Sequence, residues 1–164
     1  MPATYEPLAT TTLGSAAATV TFSGISGSYT DLVLIINGKW TGSGPSSFGL
    51  RFNSDSGSNY SITRLLGDGS SASSNRTNNT TTTSGGQLDA TNFNPNITHI
   101  MNYSNSTTYK TILWRGNIPS TQVEAAVSLW RNTSAITSIS AGYFDVSANW
   151  ETGSTFTLYG IKSA

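Results

Sequence analysis

Cysteine is absent from the 164 residues, and histidine occurs once, at position 99. The chain therefore has no disulfide, no thiolate metal site and no cysteine nucleophile, and a two-histidine metal site cannot form within it. Charge is scarce as well: charged side chains make up 10% of the sequence, against roughly 25% in ordinary globular domains. Eight Lys and Arg balance eight Asp and Glu, which excludes a global basic field for nucleic acid. The longest apolar run is Leu32 to Ile36, far short of the roughly 20 residues of a membrane-spanning helix. The first basic residue is Lys39, so the opening stretch lacks the positive n-region of a secretory leader and assembly in a cytoplasm is expected.

What is abundant is uncharged and polar. The sequence holds 26 Ser, 25 Thr and 14 Asn, about two-fifths of all residues. Within this background the apolar residues recur with a period of two. Val20 and Phe22 alternate with threonine and serine, as do Phe48, Leu50 and Phe52 with Gly49 and Arg51. Val123, Ala125, Val127 and Leu129 form a third such series, and Phe156 and Leu158 a fourth. Alternation of this kind places one face on a core and the other in water, as in antiparallel sheets.

Nine strands are predicted, at 18–23, 30–37, 47–53, 59–66, 98–104, 109–116, 122–131, 135–144 and 154–161, separated by turn signals such as Asn37-Gly38 and Asp55-Ser56-Gly57. The fold expected is all-β: one antiparallel β-sandwich domain over 18–164, jelly-roll-like. Its predicted core holds Phe22, Leu32, Leu34, Ile36, Leu50, Phe52, Ile62, Ile112, Val127, Leu129, Phe156 and Leu158. Residues 1–17 lack this alternation and are read as an extended N-terminal arm; residues 67–96 are read as a long polar loop insert.

Candidate chemistry is thin. His99 shares a predicted strand face with Met101 and Tyr103, and no Gly-x-Ser-x-Gly elbow accompanies it. The segment Asn53 to Asn59 spaces oxygen ligands around Gly57, but the bidentate glutamate of a calcium loop is missing and a hairpin turn needs the same residues. Asp55, Asp68, Asp31 and Glu151 sit at predicted turns or strand ends, which explains them without a glycosidase pair. The Asn-x-Ser/Thr triplets at Asn59, Asn79, Asn96, Asn102 and Asn132 follow from composition. No catalytic residue, cofactor or metal is expected.

The residues suited to partner binding are apolar and aromatic. Tyr5, Leu8 and Leu13 are spaced along the arm among Pro2 and Pro7; Trp40, Trp114, Trp130 and Trp150 lie beside polar or turn residues, and Trp114-Arg115 and Trp130-Arg131 repeat one pair. Such side chains anchor protein interfaces or stack on sugar rings, and they also close the ends of a sandwich core.

The order of short motifs along the chain carries a resemblance. Met1-Pro2-Ala3-Thr4-Tyr5-Glu6-Pro7-Leu8 leads into Val20-Thr21-Phe22 and Tyr29-Thr30-Asp31-Leu32-Val33-Leu34; Leu50-Arg51-Phe52-Asn53 and Asn59-Tyr60-Ser61 follow, and Leu158-Tyr159-Gly160-Ile161 closes the series. This resembles a family of small tailed-phage virion proteins. The resemblance implies a non-enzymatic β-sandwich, commonly a homotrimer. On that basis a capsid decoration (cement) protein on the outer head surface is expected, with the major capsid protein as partner. The alternative is a tail-fibre or receptor-binding module touching a host surface glycan.

Overall fold

The computed structural model describes residues 4–162, which form strands and turns with no helix among them. The strands are β1 (Tyr5–Thr12), β2 (Thr19–Ser23), β3 (Asp31–Gly38), β4 (Ser46–Phe52), β5 (Tyr60–Gly67), β6 (Ala72–Thr80), β7 (Thr83–Leu88), β8 (Asn94–Met101), β9 (Lys110–Ile118), β10 (Gln122–Trp130), β11 (Ser138–Gly142) and β12 (Thr155–Ile161). They make two antiparallel sheets, β1-β12-β3-β8-β9-β10-β5-β6 and β2-β11-β4-β7. The chain crosses repeatedly between them along a jelly-roll path: β2-β11-β4-β7 forms one sheet, and in the other the β9–β10 hairpin is inserted between β3-β8 and β5-β6. That insertion widens the large sheet.

The core lies between the sheets. Leu32, Leu34 and Ile36 on β3 and Phe156 and Leu158 on β12 meet Phe22, Leu50, Phe52 and Ile139 from the small sheet, all buried. Two tryptophans hold its ends. The Trp150 ring lies 4.8 Å from Phe156, 4.9 Å from Phe48 and 5.1 Å from Tyr143, and its Nε1 donates to the Ala141 carbonyl at 3.2 Å. Trp130 packs 5.6 Å from Phe52 and stacks 6.4 Å from Tyr60, with Nε1 donating to Asp55 at 2.7 Å. An indole so placed buries its apolar area without orphaning its N–H.

The nine predicted strands all form, and three further ones appear where strands were not expected. Residues 5–12 of the predicted arm are β1, paired to β12 from Tyr5↔Ile161 to Thr12↔Thr155. Glu6 is held there by Lys162 and by the Tyr29 hydroxyl at 2.9 Å. Across β12, the Tyr29 ring occupies the space a side chain at Gly160 would need: a Cβ there would come within 2.5 Å of it. This gives the glycine of the closing Leu-Tyr-Gly-Ile motif a packing reason. The remainder of the predicted arm before Thr4 lies outside the described residues.

The predicted insert 67–96 is likewise corrected, because β6 and β7 run through it. Strand β6 is exposed on both faces along nearly all its length, so its sequence never needed apolar alternation. Strand β7 is buried, but close backbone packing supplies the burial: a Cβ on Gly85 would meet the Phe48 ring at 2.1 Å. Glycine pairs of that kind read as loop in a sequence.

One register departs from the pattern. On β10 the inward positions are Gln122, Glu124, Ala126, Ser128 and Trp130, so Val123, Ala125, Val127 and Leu129 face away from the core. Val127 and Leu129 are therefore not core residues, and Ile62 is only half-buried. Because side chains alternate strictly, seating Trp130 inward turns the whole apolar series outward. In urea unfolding of the isolated protein, Trp130→Ala is expected to cost about 3–5 kcal/mol, whereas Val127→Ser costs within about 0.5 kcal/mol. Equal losses at the two positions would place β10 in the opposite register.

Candidate interaction surface

The outward face of the large sheet can be followed from the pairing. One row across it runs Tyr159, Val33, His99, Leu113, Val127, Thr63; the next runs Thr157, Ile35, Ile97, Arg115, Ala125, Leu65. Met101 and Leu129 lie in the row beyond the first. Among the described residues the β9–β10–β5 part of this face is the open part, while Val33 on β3 is buried among its neighbours. Leu65 is 62% exposed, Val123 64% and Val127 47%, with Leu113, Met101 and Ile35 also exposed. A shallow depression of about 510 Å³ at its centre is lined by Leu65, Ile97, His99, Leu113, Ala125 and Val127 among others. Five strands (β3, β8, β9, β10, β5) at about 4.8 Å spacing and about eight residues at 3.4 Å give a footprint on the order of 650 Å².

The inner side of the same strands is unusually polar. Asn94, Asn96 and Thr98 on β8 and Glu124 and Ser128 on β10 are buried. They are served in part by β7: Asn96 Nδ2 donates to the Gly85 carbonyl at 2.5 Å, and Gln122 Nε2 bridges Gln87 Oε1 at 2.6 Å and Glu124 Oε1 at 2.5 Å. Arg64 Nη1 lies 3.4 Å from the same Glu124 oxygen. The second Glu124 oxygen, Ser128 Oγ, Asn94 Nδ2 and Trp114 Nε1 are buried without a hydrogen-bond partner. Thus β10 hides a carboxylate and shows valines to solvent, the reverse of what an isolated domain favours. Local rules broken in this way concentrate where a surface has a function.

The sequence-predicted site residues separate under this geometry. Trp130 and Trp150 are fully buried and Trp114 is 3% exposed, so none of the three can touch a partner; they are core side chains because their rings fill the space between the sheets. Trp114-Arg115 lies inside β9. Arg115 faces outward onto the apolar surface, beside Ile97 and Ala125. Arg131 is tied to its own chain, donating to the Ser58 carbonyl at 2.7 Å and Asn79 Oδ1 at 2.9 Å. Trp40 is half-buried 6.1 Å from Tyr143, with Nε1 donating to the Gly44 carbonyl at 2.8 Å. Leu8 and Leu13 pack partly against the core, and Tyr5 is exposed, edge-on to Tyr159 at 6.3 Å. Leu65, Leu113, Val123 and Val127 were not singled out as partner-binding. Their signal was in the sequence, since alternation marks an apolar face, but it does not say which side of the sheet that face is on.

The other candidates resolve into structure. In the Asn53–Asn59 turn, Asp55 accepts from Gly57 N at 2.8 Å, Asn59 Nδ2 at 2.9 Å and Trp130 Nε1 at 2.7 Å. Desolvation works to raise this carboxyl, but the donors from Trp130, Asn59 and Gly57 together hold it below the usual carboxylate range. His99 is half-buried on the outer face between Val33 and Leu113. No family model matches the chain, and no curated protein sequence is significantly similar to it.

Burial raises the Glu124 carboxyl above its ordinary value, and Arg64 lowers it by less. The folded state therefore takes up this proton at a higher pH than the unfolded chain does. Falling pH then stabilises the fold through this group, from the raised folded value down to the ordinary value of 4.5. Comparing urea midpoints with Glu124→Gln between neutral pH and about pH 4.5 isolates this contribution. The native chain should gain on the variant as pH falls, and a relative loss would mean that Arg64 dominates.

Proposed function

We propose that the chain is a non-enzymatic structural protein of a tailed-phage virion, most specifically a capsid decoration (cement) protein on the outer head surface. The observation that carries the reading is the uncovered apolar face of the large sheet, on a closed sandwich whose titratable groups are mostly engaged in turns and ion pairs. A face of about 650 Å² approaches the roughly 800 Å² per partner of a standard stable interface. Its near absence of charge keeps the desolvation cost of docking low. The order of motifs resembling small virion proteins points the same way, and the Ser-, Thr- and Asn-rich remainder suits a hydrated exterior.

The glycan-binding alternative rests on aromatic side chains and loops, of which Tyr5 and, in part, Trp40 remain accessible. Sugar stacking needs an exposed ring face, which Trp114, Trp130 and Trp150 do not offer. The surface contact is accordingly read as protein on protein, with the major capsid protein as the partner and the subunits themselves grouped as a homotrimer. A ring of three is built from heterologous contacts, so subunits meet through different surfaces and not through one face stacked on itself.

Immunogold or cryo-electron imaging of intact particles tests the assignment. Many copies spread over the shell are expected; a few copies confined to the tail would favour the fibre reading, and none would end both. Light scattering at micromolar concentration is expected to give the mass of a trimer, and a monomer counts against the assembly.

A further inference from the structure

We propose that the outer face of the large sheet seats on an apolar protein surface bearing a carboxylate that receives Arg115, and that this partner is not a second copy of the same face. The proposal rests on the virion reading, under which the partner is the shell protein. Arg115 is exposed among Ile97, Ala125 and Leu113 and makes no hydrogen bond or ion pair among the described residues. Among the described residues no carboxylate forms an ion pair with it, Asp145 and Glu151 included. Glu124, one strand over, points inward to Arg64; Glu6 is held by Lys162 and Tyr29; Asp55, Asp68 and Asp89 are bound into turns. Asp31 is on the same face but at its far corner, two strands away on β3, where it accepts from the Asn102 amide.

Covering this face removes the guanidinium from water, and a buried charge without a counter-charge strongly opposes binding. Two identical faces stacked together supply a second Arg115 and no central acid. A partner with a carboxylate at the centre of an apolar patch instead turns Arg115 into a charge-assisted, bidentate anchor inside a dry contact. The valines and leucines around it exclude water. Charge complementarity therefore selects a chemically different surface, and the inverted register of β10 gives it the area.

The test uses the full chain and phage particles grown with a stop codon in its gene, so that the shell lacks the protein. Binding is read by co-sedimentation, and self-association by analytical ultracentrifugation. Arg115→Glu is expected to weaken binding by about a hundredfold and Val127→Asp by at least about tenfold. Thr21→Asp, on the exposed side of the small sheet, should change it by less than about twofold. All three positions are solvent-exposed, so unchanged urea midpoints confirm that the variants fold. Normal binding by Arg115→Glu and Val127→Asp overturns this inference and leaves the virion reading standing. Failure of the unaltered chain to bind overturns both. Self-association abolished by Val127→Asp and by Arg115→Glu, without particle binding, would identify a second copy as the occupant and overturn the proposal.

Discussion

Strict alternation of side chains across a strand is the constraint on which most of this structure depends, and β10 is where it bears hardest. Seating Trp130 between Phe52 and Tyr60 dictates that Glu124 and Ser128 also point inward and that Val123, Val127 and Leu129 point out. Transfer energies do not favour this outright. Burying one tryptophan of 150–250 Å² gains about 4–6 kcal/mol, and burying three aliphatic side chains gains a similar amount at about 1.5–3 kcal/mol each. The exposed aliphatic face and the buried polar layer are thus two views of one arrangement, both set by the inward placement of Trp130.

The jelly-roll frame makes that face possible. Inserting the β9–β10 hairpin between β8 and β5, with β12 and β1 added beyond β3, gives the large sheet eight strands against four, so it presents a broad, regular surface. Rigidity comes from the opposite side, where the aromatic clusters about Trp130 and Trp150 pin the two sheets. Edge strands are kept quiet by other means. β6 is polar after Ala72, and on β7 the carbonyls of Thr83, Ser84 and Gly85 also accept from side chains of the same chain.

Charge, being rare, is informative where it occurs. Most of the acids are engaged locally: Glu6 with Lys162, Glu124 with Arg64, and Asp55, Asp68 and Asp89 with backbone amides of their own turns. Arg115 alone sits at the centre of an apolar field. A lone guanidinium in such a setting adds little to the stability of the isolated fold, and under the proposed docking it is the side chain on which the choice of partner turns.

The sequence by itself determined the all-β class, the nine alternating strands and the aliphatic part of the core on β3, β4 and β12, because period two and turn chemistry are local signals that composition does not blur. It also held the apolar series at Val123 to Leu129, but alternation is symmetric: it reports that one face is apolar without saying whether that face is inside. It could not reveal β1, β6 or β7, since β1 is defined by docking on β12, β6 has no buried side to mark, and β7 is buried through glycine backbone packed under Phe48. Nor could it tell that Trp114, Trp130 and Trp150 belong to the core, because polar neighbours in sequence are not neighbours in space. Only the tertiary structure decided those questions, by fixing which of two opposite sheet faces meets the second sheet.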